Sequence, residues 1–238
     1  MGILFLVRHA QASFLEENYD KLSQVGESQA RILGEYWAAR RMEFDRAGVG
    51  PCVRQRDTVG IVSRAFEKAG LKFPEPVILP EFDEYQAEAV LKSGVPELLK
   101  TDESVRGLQE TFQSSTDAAR RATFQRLFEA VVSKWVGGQI CLSGVETWAD
   151  FCGRVNSGIG KVLSGDGHRE RVVMFTSGGP IAVAMQRALQ LSDERTLQVS
   201  WMSRNSSWSE FLYGANRFTL SAFNVHGHID DPALLTYR

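Results

Sequence analysis

Five consecutive apolar residues, Ile3-Leu4-Phe5-Leu6-Val7, run without a spacer into Arg8-His9. An unbroken apolar run of this length reads as a strand buried on both faces, the condition of a parallel sheet packed between helices. The abrupt change to Arg8-His9 marks the C-terminal end of that strand. In open α/β sheets ligands bind at this edge. An arginine there offers a planar anion clamp, and a histidine offers a nitrogen that acts as nucleophile or base. Alone, an Arg-His pair is more often the solvated end of a strand, so its meaning rests on what other strand ends bring.

Arg171 to Phe175 reads as a second buried strand and runs into Ser177-Gly178-Gly179-Pro180. A helix follows, with Ile181, Ala184, Met185, Ala188 and Leu189 on one face and Pro180 expected as its first residue. Between these two strands the pattern alternates. Val25, Ile32, Leu33 and Tyr36 fall on one helical face behind a Ser23 N-cap. Asp45 to Gly50 reads as a short strand, and Pro51 opens a helix carrying Val59, Val62, Phe66 and Ala69 that stops near Gly70. Val77-Ile78-Leu79 reads as a short buried strand ending at Pro80-Glu81. From about 86 to 138 the pattern is helical and polar-rich, and is read as a helical insertion over the sheet within a single domain spanning 1–238. Ser143-x-x-Glu146 is expected to cap the next helix, which runs to about Leu163. Two late strands, about Ser207 to Tyr213 and Phe218 to Phe223, complete the sheet. The expected fold class is therefore α/β: a three-layer sandwich with a mostly parallel sheet flanked by helices.

Composition narrows the function classes. The 238 residues carry a formal net charge of −2, which leaves no basic excess for general nucleic-acid or membrane-surface binding. No apolar run approaches the ~20 residues that span a bilayer. The N-terminal residues show no basic n-region or small-residue cleavage site, and Cys52, Cys141 and Cys152 are scattered and odd in number. A reducing, cytoplasmic setting is expected. The four histidines, His9, His168, His226 and His228, show no metal-ligand spacing around His9, so no metal is expected, and the reading reached below calls for no cofactor.

Four strand ends contribute polar groups: Arg8-His9, the turn Gly50-Pro51-Cys52-Val53-Arg54, Glu81, and Ser177-Gly178-Gly179. The glycine-rich turn into a helix is an anion site by its free N–H groups and the helix dipole. Arg54 falls in the first turn of its helix, where a cation is disfavoured, and this points to a ligand anion or a carboxylate beside it. Each feature alone has an ordinary structural explanation. The case for a site is that all four stand at consecutive C-terminal edges.

Leu6-Val7-Arg8-His9-Ala10 resembles the "LVRHG" opening of the histidine phosphatase superfamily, also called the phosphoglycerate mutase-like family. Supporting matches are Leu22-Ser23-x-x-Gly26-x-x-Gln29-Ala30, Gly50-Pro51-x-x-Arg54-Gln55-x-x-Thr58, Leu79-x-Glu81 and Val172-x-x-Phe175-Thr176-Ser177-Gly178-Gly179-Pro180-Ile181. The resemblance implies a metal-free phosphomonoester hydrolase acting on a phosphorylated small molecule. His9 would attack the phosphoryl group and form a phosphohistidine. Arg8 and Arg54 would hold the equatorial oxygens. Glu81, at the family's proton-donor position, would protonate the leaving oxygen, with Asp83 and Glu84 contesting that role.

The chain departs from the family pattern in three places. The glycine after the histidine is Ala10. The threonine two positions further is Ala12, with Ser13 beside it able to bond phosphate. The family's second histidine falls on Ser177, since "S-H-G-G" reads Thr176-Ser177-Gly178-Gly179. Losing a charged donor at a transition state costs ~3 kcal/mol, a hundredfold or more in rate. His226 and His228, just beyond the last strand, are candidates to support the site. Two other readings stand beside the phosphatase: a phosphoglycerate-mutase-type phosphotransferase, and a non-catalytic phospholigand-binding or regulatory protein.

Overall fold

A computed structural model describes residues 1–13, 20–164, 169–215 and 217–237. The strand β1 (Gly2–Arg8) is followed by α1 (Gln24–Ala39), β2 (Arg46–Val49), α2 (Val53–Lys68) and β3 (Pro76–Ile78). A single 3-10 turn at Pro80–Phe82 leads to three helices, α3 (Ala87–Thr101), α4 (Glu103–Ser114) and α5 (Asp117–Val136). Then come α6 (Trp148–Leu163), β4 (Arg171–Thr176), α7 (Gly178–Leu189), α8 (Asp193–Met202), β5 (Trp208–Gly214) and β6 (Arg217–Val225). The six strands form one sheet in the order β3-β2-β4-β1-β5-β6. β3, β2, β4 and β1 are parallel, while β5 runs antiparallel to β1 and β6 antiparallel to β5.

The apolar run of β1 is continuous because both faces of the sheet are covered. Phe5 and Val7 join Val49, Val173 and Phe175 under Leu33 and Trp37 of α1 and Val62 and Phe66 of α2. Leu4 and Leu6 face the other way, with Val172 and Met174, against Phe151, Val155 and Ile159 of α6 and Ile181 of α7. This side also holds Val90, Leu98, Val105 and Val131 from α3–α5. The α/β fold with its mostly parallel sheet is thus as the sequence pattern required.

Local details differ from expectation at four points. β3 is an edge strand of three residues pairing only with β2, so Val77 and Ile78 are 62% and 50% exposed rather than buried. The cap of α6 is Thr147 with Asp150, each side chain bonded to the other's backbone N–H, and not Ser143 with Glu146. Glu146 instead pairs with Arg154 at 2.7 Å. α7 begins at Gly178, two residues before Pro180, and α2 begins at Val53 rather than at Pro51. The Ser23 cap stands, its hydroxyl accepting from the Gly26 N–H at 3.0 Å. So does the stop after α2, where Gly70 takes a φ of +70° that favours glycine.

Candidate active site

β1 and β4 are neighbours in parallel register, with Arg8 opposite Thr176. The His9 N–H donates to the Thr176 carbonyl at 2.8 Å, so the end of β1 and the turn into α7 form one sheet edge. The side chains of Arg8, His9, Arg54 and Glu84, together with Gly178 and Gly179, line the floor of a cleft of about 300 Å³ at that edge.

His9 is 4% exposed. Its Nδ1 lies 2.7 Å from the Ala10 carbonyl oxygen, an acceptor, so Nδ1 carries the ring proton. Nε2 is left with its lone pair and accepts from Arg54 Nε at 3.1 Å. Burial, with the charges of Arg54 and Arg8, holds the imidazole pKa well below its ordinary value. The ring is therefore neutral at physiological pH, the form that can attack or take a proton.

Arg54 is the second residue of α2, and the carboxylate its position called for is Asp20. Asp20 Oδ1 pairs with the Arg54 guanidinium at 2.6 Å, and Oδ2 accepts from the Val53 N–H at 2.8 Å. One carboxylate thus caps the helix and holds the cation. Sequence gave no signal for it, since the contact spans more than thirty positions of chain. The Arg8 guanidinium donates to the Ser203 carbonyl. Ala10 is buried and its N–H donates to Thr58 Oγ1 at 3.1 Å, which ties the β1 loop to α2.

Of the three acids near residue 81, Glu84 lines the cleft and Glu81 and Asp83 do not. The 3-10 turn buries Phe82 in the core and turns Glu81 toward α6, beside Gly158, where its carboxylate accepts from the Lys161 ammonium. That partner holds the Glu81 carboxyl below its usual range, and the residue does not line the cleft. Asp83 accepts from the Cys52 thiol at 3.0 Å and from the Glu84 N–H at 2.8 Å. Burial pushes that thiol up to about 12. Glu84 faces the cleft, with Oε2 accepting from the Gly179 N–H and Oε1 from the Tyr85 N–H, both at 3.0 Å. A Cβ on residue 179 would lie 2.0 Å from Glu84 Oε1, so glycine is what lets the carboxylate reach the start of α7. Burial raises the Glu84 carboxyl above its ordinary range, against the two N–H donors.

Other expected site residues lie elsewhere. Ser13 is buried and donates to the Leu22 carbonyl at 3.2 Å, away from the cleft. Ser177 is fully buried behind the floor, its Oγ accepting from Gln55 Nε2 at 2.8 Å. His226 donates from Nδ1 to the Asn224 carbonyl at 2.7 Å and contacts Arg204 through Nε2. His228 is buried between Tyr36 and Trp208 with Ser206 Oγ 3.0 Å from Nε2, and burial lowers its pKa to about 4. Neither tail histidine lines the cleft, because the chain after β6 carries both behind the Ser206 turn. His168 falls outside the described residues. Among the described residues no three His, Cys, Asp or Glu side chains gather as a metal-ligand set, and no helix is long and apolar enough to cross a membrane.

Known structures share the architecture. YhfR of Bacillus stearothermophilus superposes with a TM-score of 0.64 at 14% identity, over 96% of this chain and 99% of that one. A phosphoglycerate mutase of Bacillus anthracis gives 0.62 at 15% identity, over 95% and 94%. A phosphoserine phosphatase of Entamoeba histolytica, solved with 3-phosphoglyceric acid, gives 0.62 at 15%, over 96% and 99%. At these identities the likeness is one of fold. No curated protein matches the chain in sequence. The family model of the histidine phosphatase superfamily (branch 1) matches residues 100–226, a span that holds β4 and the Ser177 turn and lies C-terminal to Arg8 and His9. That span is more than half of the chain, and the chain belongs to the histidine phosphatase superfamily.

Proposed function

We propose that the protein is a phosphomonoester hydrolase working through a phosphohistidine on His9. The observation that carries this reading is the His9 ring: its proton is fixed on Nδ1 by the Ala10 carbonyl, and its Nε2 lone pair faces the Arg54 guanidinium at the cleft floor. A phosphoryl dianion entering the cleft takes over the Arg54 Nε–H donor and meets Nε2 in the same step. Arg54 and Arg8 then hold the equatorial oxygens, and the first turn of α7 adds the positive end of its dipole. Nε2 attacks phosphorus as the ester oxygen leaves with a proton from Glu84. The resulting Glu84 carboxylate takes a proton from water, which attacks the phosphohistidine and releases inorganic phosphate.

Ser177 stands where the family's second histidine falls. Its hydroxyl is buried and held by Gln55, so it acts as a positioning residue for the turn into α7 and not as a donor to the phosphoryl group. The charge of the missing imidazole is not replaced by a tail histidine, which makes the enzyme a slow one. The retained neutral nucleophile and the raised carboxyl of Glu84 argue against a binder without turnover.

The decisive experiment is a rapid acid-free quench during turnover of a labelled phosphomonoester. Label should appear on His9 as an acid-labile, base-stable phosphate, and the folded His9→Ala protein should lose essentially all turnover. Hydrolysis by His9→Ala at the wild-type rate would rule the mechanism out.

A further inference from the structure

The cleft above the phosphoryl floor is walled by side chains that the chemistry does not use. Tyr85 and Leu91 stand on one side, Phe124 and Phe128 come from α5, Trp201 from α8, and Tyr237 from the C-terminal segment. The rings are braced from behind. Phe124 packs on Phe112 at 5.8 Å between centroids, and Tyr85 on Trp135 at 5.5 Å and Phe151 at 5.7 Å. Charge is distributed unevenly. Among the described residues, the cations lining the cleft are Arg8 and Arg54, both at the floor, and the charged group on the wall is the carboxylate of Glu88. A second carboxylate or phosphate on the substrate would face Glu88 and meet no lining cation among the described residues.

We infer that the leaving group this cleft takes is apolar and uncharged, an aryl or arylalkyl alcohol of one or two rings. The inference rests on the phosphatase reading. Braced aromatic walls offer flat apolar contact at little entropic cost, and a site of this volume holds one phosphoryl group and one such moiety. It also separates this cleft from one that receives a phosphoglycerate, whose carboxylate needs a cation beyond the phosphoryl clamp.

Binding and turnover test it separately. Aryl phosphates are intrinsically more reactive than alkyl ones, so turnover is compared between 2-phenylethyl phosphate, glycerol 3-phosphate and 3-phosphoglycerate, which share alkoxide-type leaving groups. The kcat/KM for 2-phenylethyl phosphate should exceed both others by at least about tenfold. Trp201→Ala and Phe124→Ala should each bring that ratio toward one while inhibition by inorganic phosphate persists. In calorimetry, wild-type protein should bind 1-naphthylphosphonate at least about tenfold more tightly than methylphosphonate or phosphonoacetate. This arm needs neither turnover nor a variant that folds. Absence of turnover on every ester with tight naphthylphosphonate binding would sink the hydrolase and leave the wall's preference standing. Equal or weaker binding of 1-naphthylphosphonate, or equal kcat/KM for the polar esters, would overturn the inference.

Discussion

Two opposing effects meet at the carboxyl of Glu84. Burial raises its pKa, and the N–H groups of Gly179 and Tyr85 work against that by favouring the anion. Burial wins, and the proposed mechanism draws the proton for the leaving oxygen from this raised carboxyl. His9 is shifted the other way, so its neutral form persists well below pH 6.5. The proposed first step needs neutral His9 and protonated Glu84. Its kcat/KM should therefore fall at low pH through the depressed His9 pKa, and fall again as pH rises through the raised Glu84 pKa. Glu84→Gln should abolish that alkaline limb and lower kcat/KM by about a hundredfold for an alkyl ester. The loss should be much smaller for 4-nitrophenyl phosphate, whose leaving group needs no proton. A pH–rate series on both substrates checks this, and an alkaline limb that survives in Glu84→Gln would assign the proton to another group. Sequence brought the choice down to three acids and preferred Glu81 for its place after the preceding strand. Glu81, Asp83 and Glu84 lie within one turn, and which of them faces the cleft is decided by a three-residue 3-10 turn whose Phe82 is drawn into the core.

Strands buried on both faces announce themselves, and here they carried most of the site. β1 and β4 were legible because each is an apolar run, and Arg8, His9 and the glycine turn followed as their C-terminal ends. Arg54 was legible from its awkward place at the start of α2. The cleft wall was not. Phe124 and Phe128 look like any core face of a helix, and only the packing of α3–α5 against α8 turns them toward His9. The β4–α7 junction makes a prediction of its own. Ser177 has no exposed surface, and its hydroxyl is engaged by Gln55, which also accepts from the Cys52 N–H at 3.1 Å. A histidine ring there has to displace Gln55 or strain the turn. Overpacking of this kind costs about 1–3 kcal/mol. Ser177→His should therefore lower Tm by several degrees, at about 2–4 °C per kcal/mol for a chain of this size. It should not raise kcat. Thermal melts and steady-state rates on the same preparation decide it, and an unchanged Tm with a higher kcat would mean that the ring reaches the phosphoryl group after all.

At the scale of the molecule, the two ends of the chain meet at one fully buried side chain, Gln29 of α1. Its Oε1 accepts from the Gln11 N–H at 2.8 Å, two residues after His9. Its Nε2 donates to the Leu234 carbonyl at 2.7 Å and to Thr236 Oγ1 at 2.8 Å. Thr236 Oγ1 passes the chain of bonds to Asn205 at 2.9 Å, and Asn205 Nδ2 donates to the His9 carbonyl at 3.2 Å. The loop after the nucleophile, the turn before β5 and the segment that brings Tyr237 to the cleft are thus one polar network. No local pattern could announce it, because its partners are about two hundred positions apart in sequence. Gln29→Leu keeps the volume and removes every bond. It takes the Gln29 amide away from the half-buried Gln11 N–H and Leu234 carbonyl, at about 1 kcal/mol each, the low end for a bond left unmade. Tm should fall by about 4–8 °C, using the same size scaling. KM should rise more than kcat falls, since Tyr237 forms the wall while the His9 ring keeps its own bond to Ala10. Limited proteolysis should cut the C-terminal segment earlier than in wild type. If Gln29→Leu melts at the wild-type temperature and its C-terminal segment resists cleavage equally, the network does not hold the wall, and Tyr237 is kept in the cleft by the Arg204 guanidinium, which packs on its ring and donates to its hydroxyl.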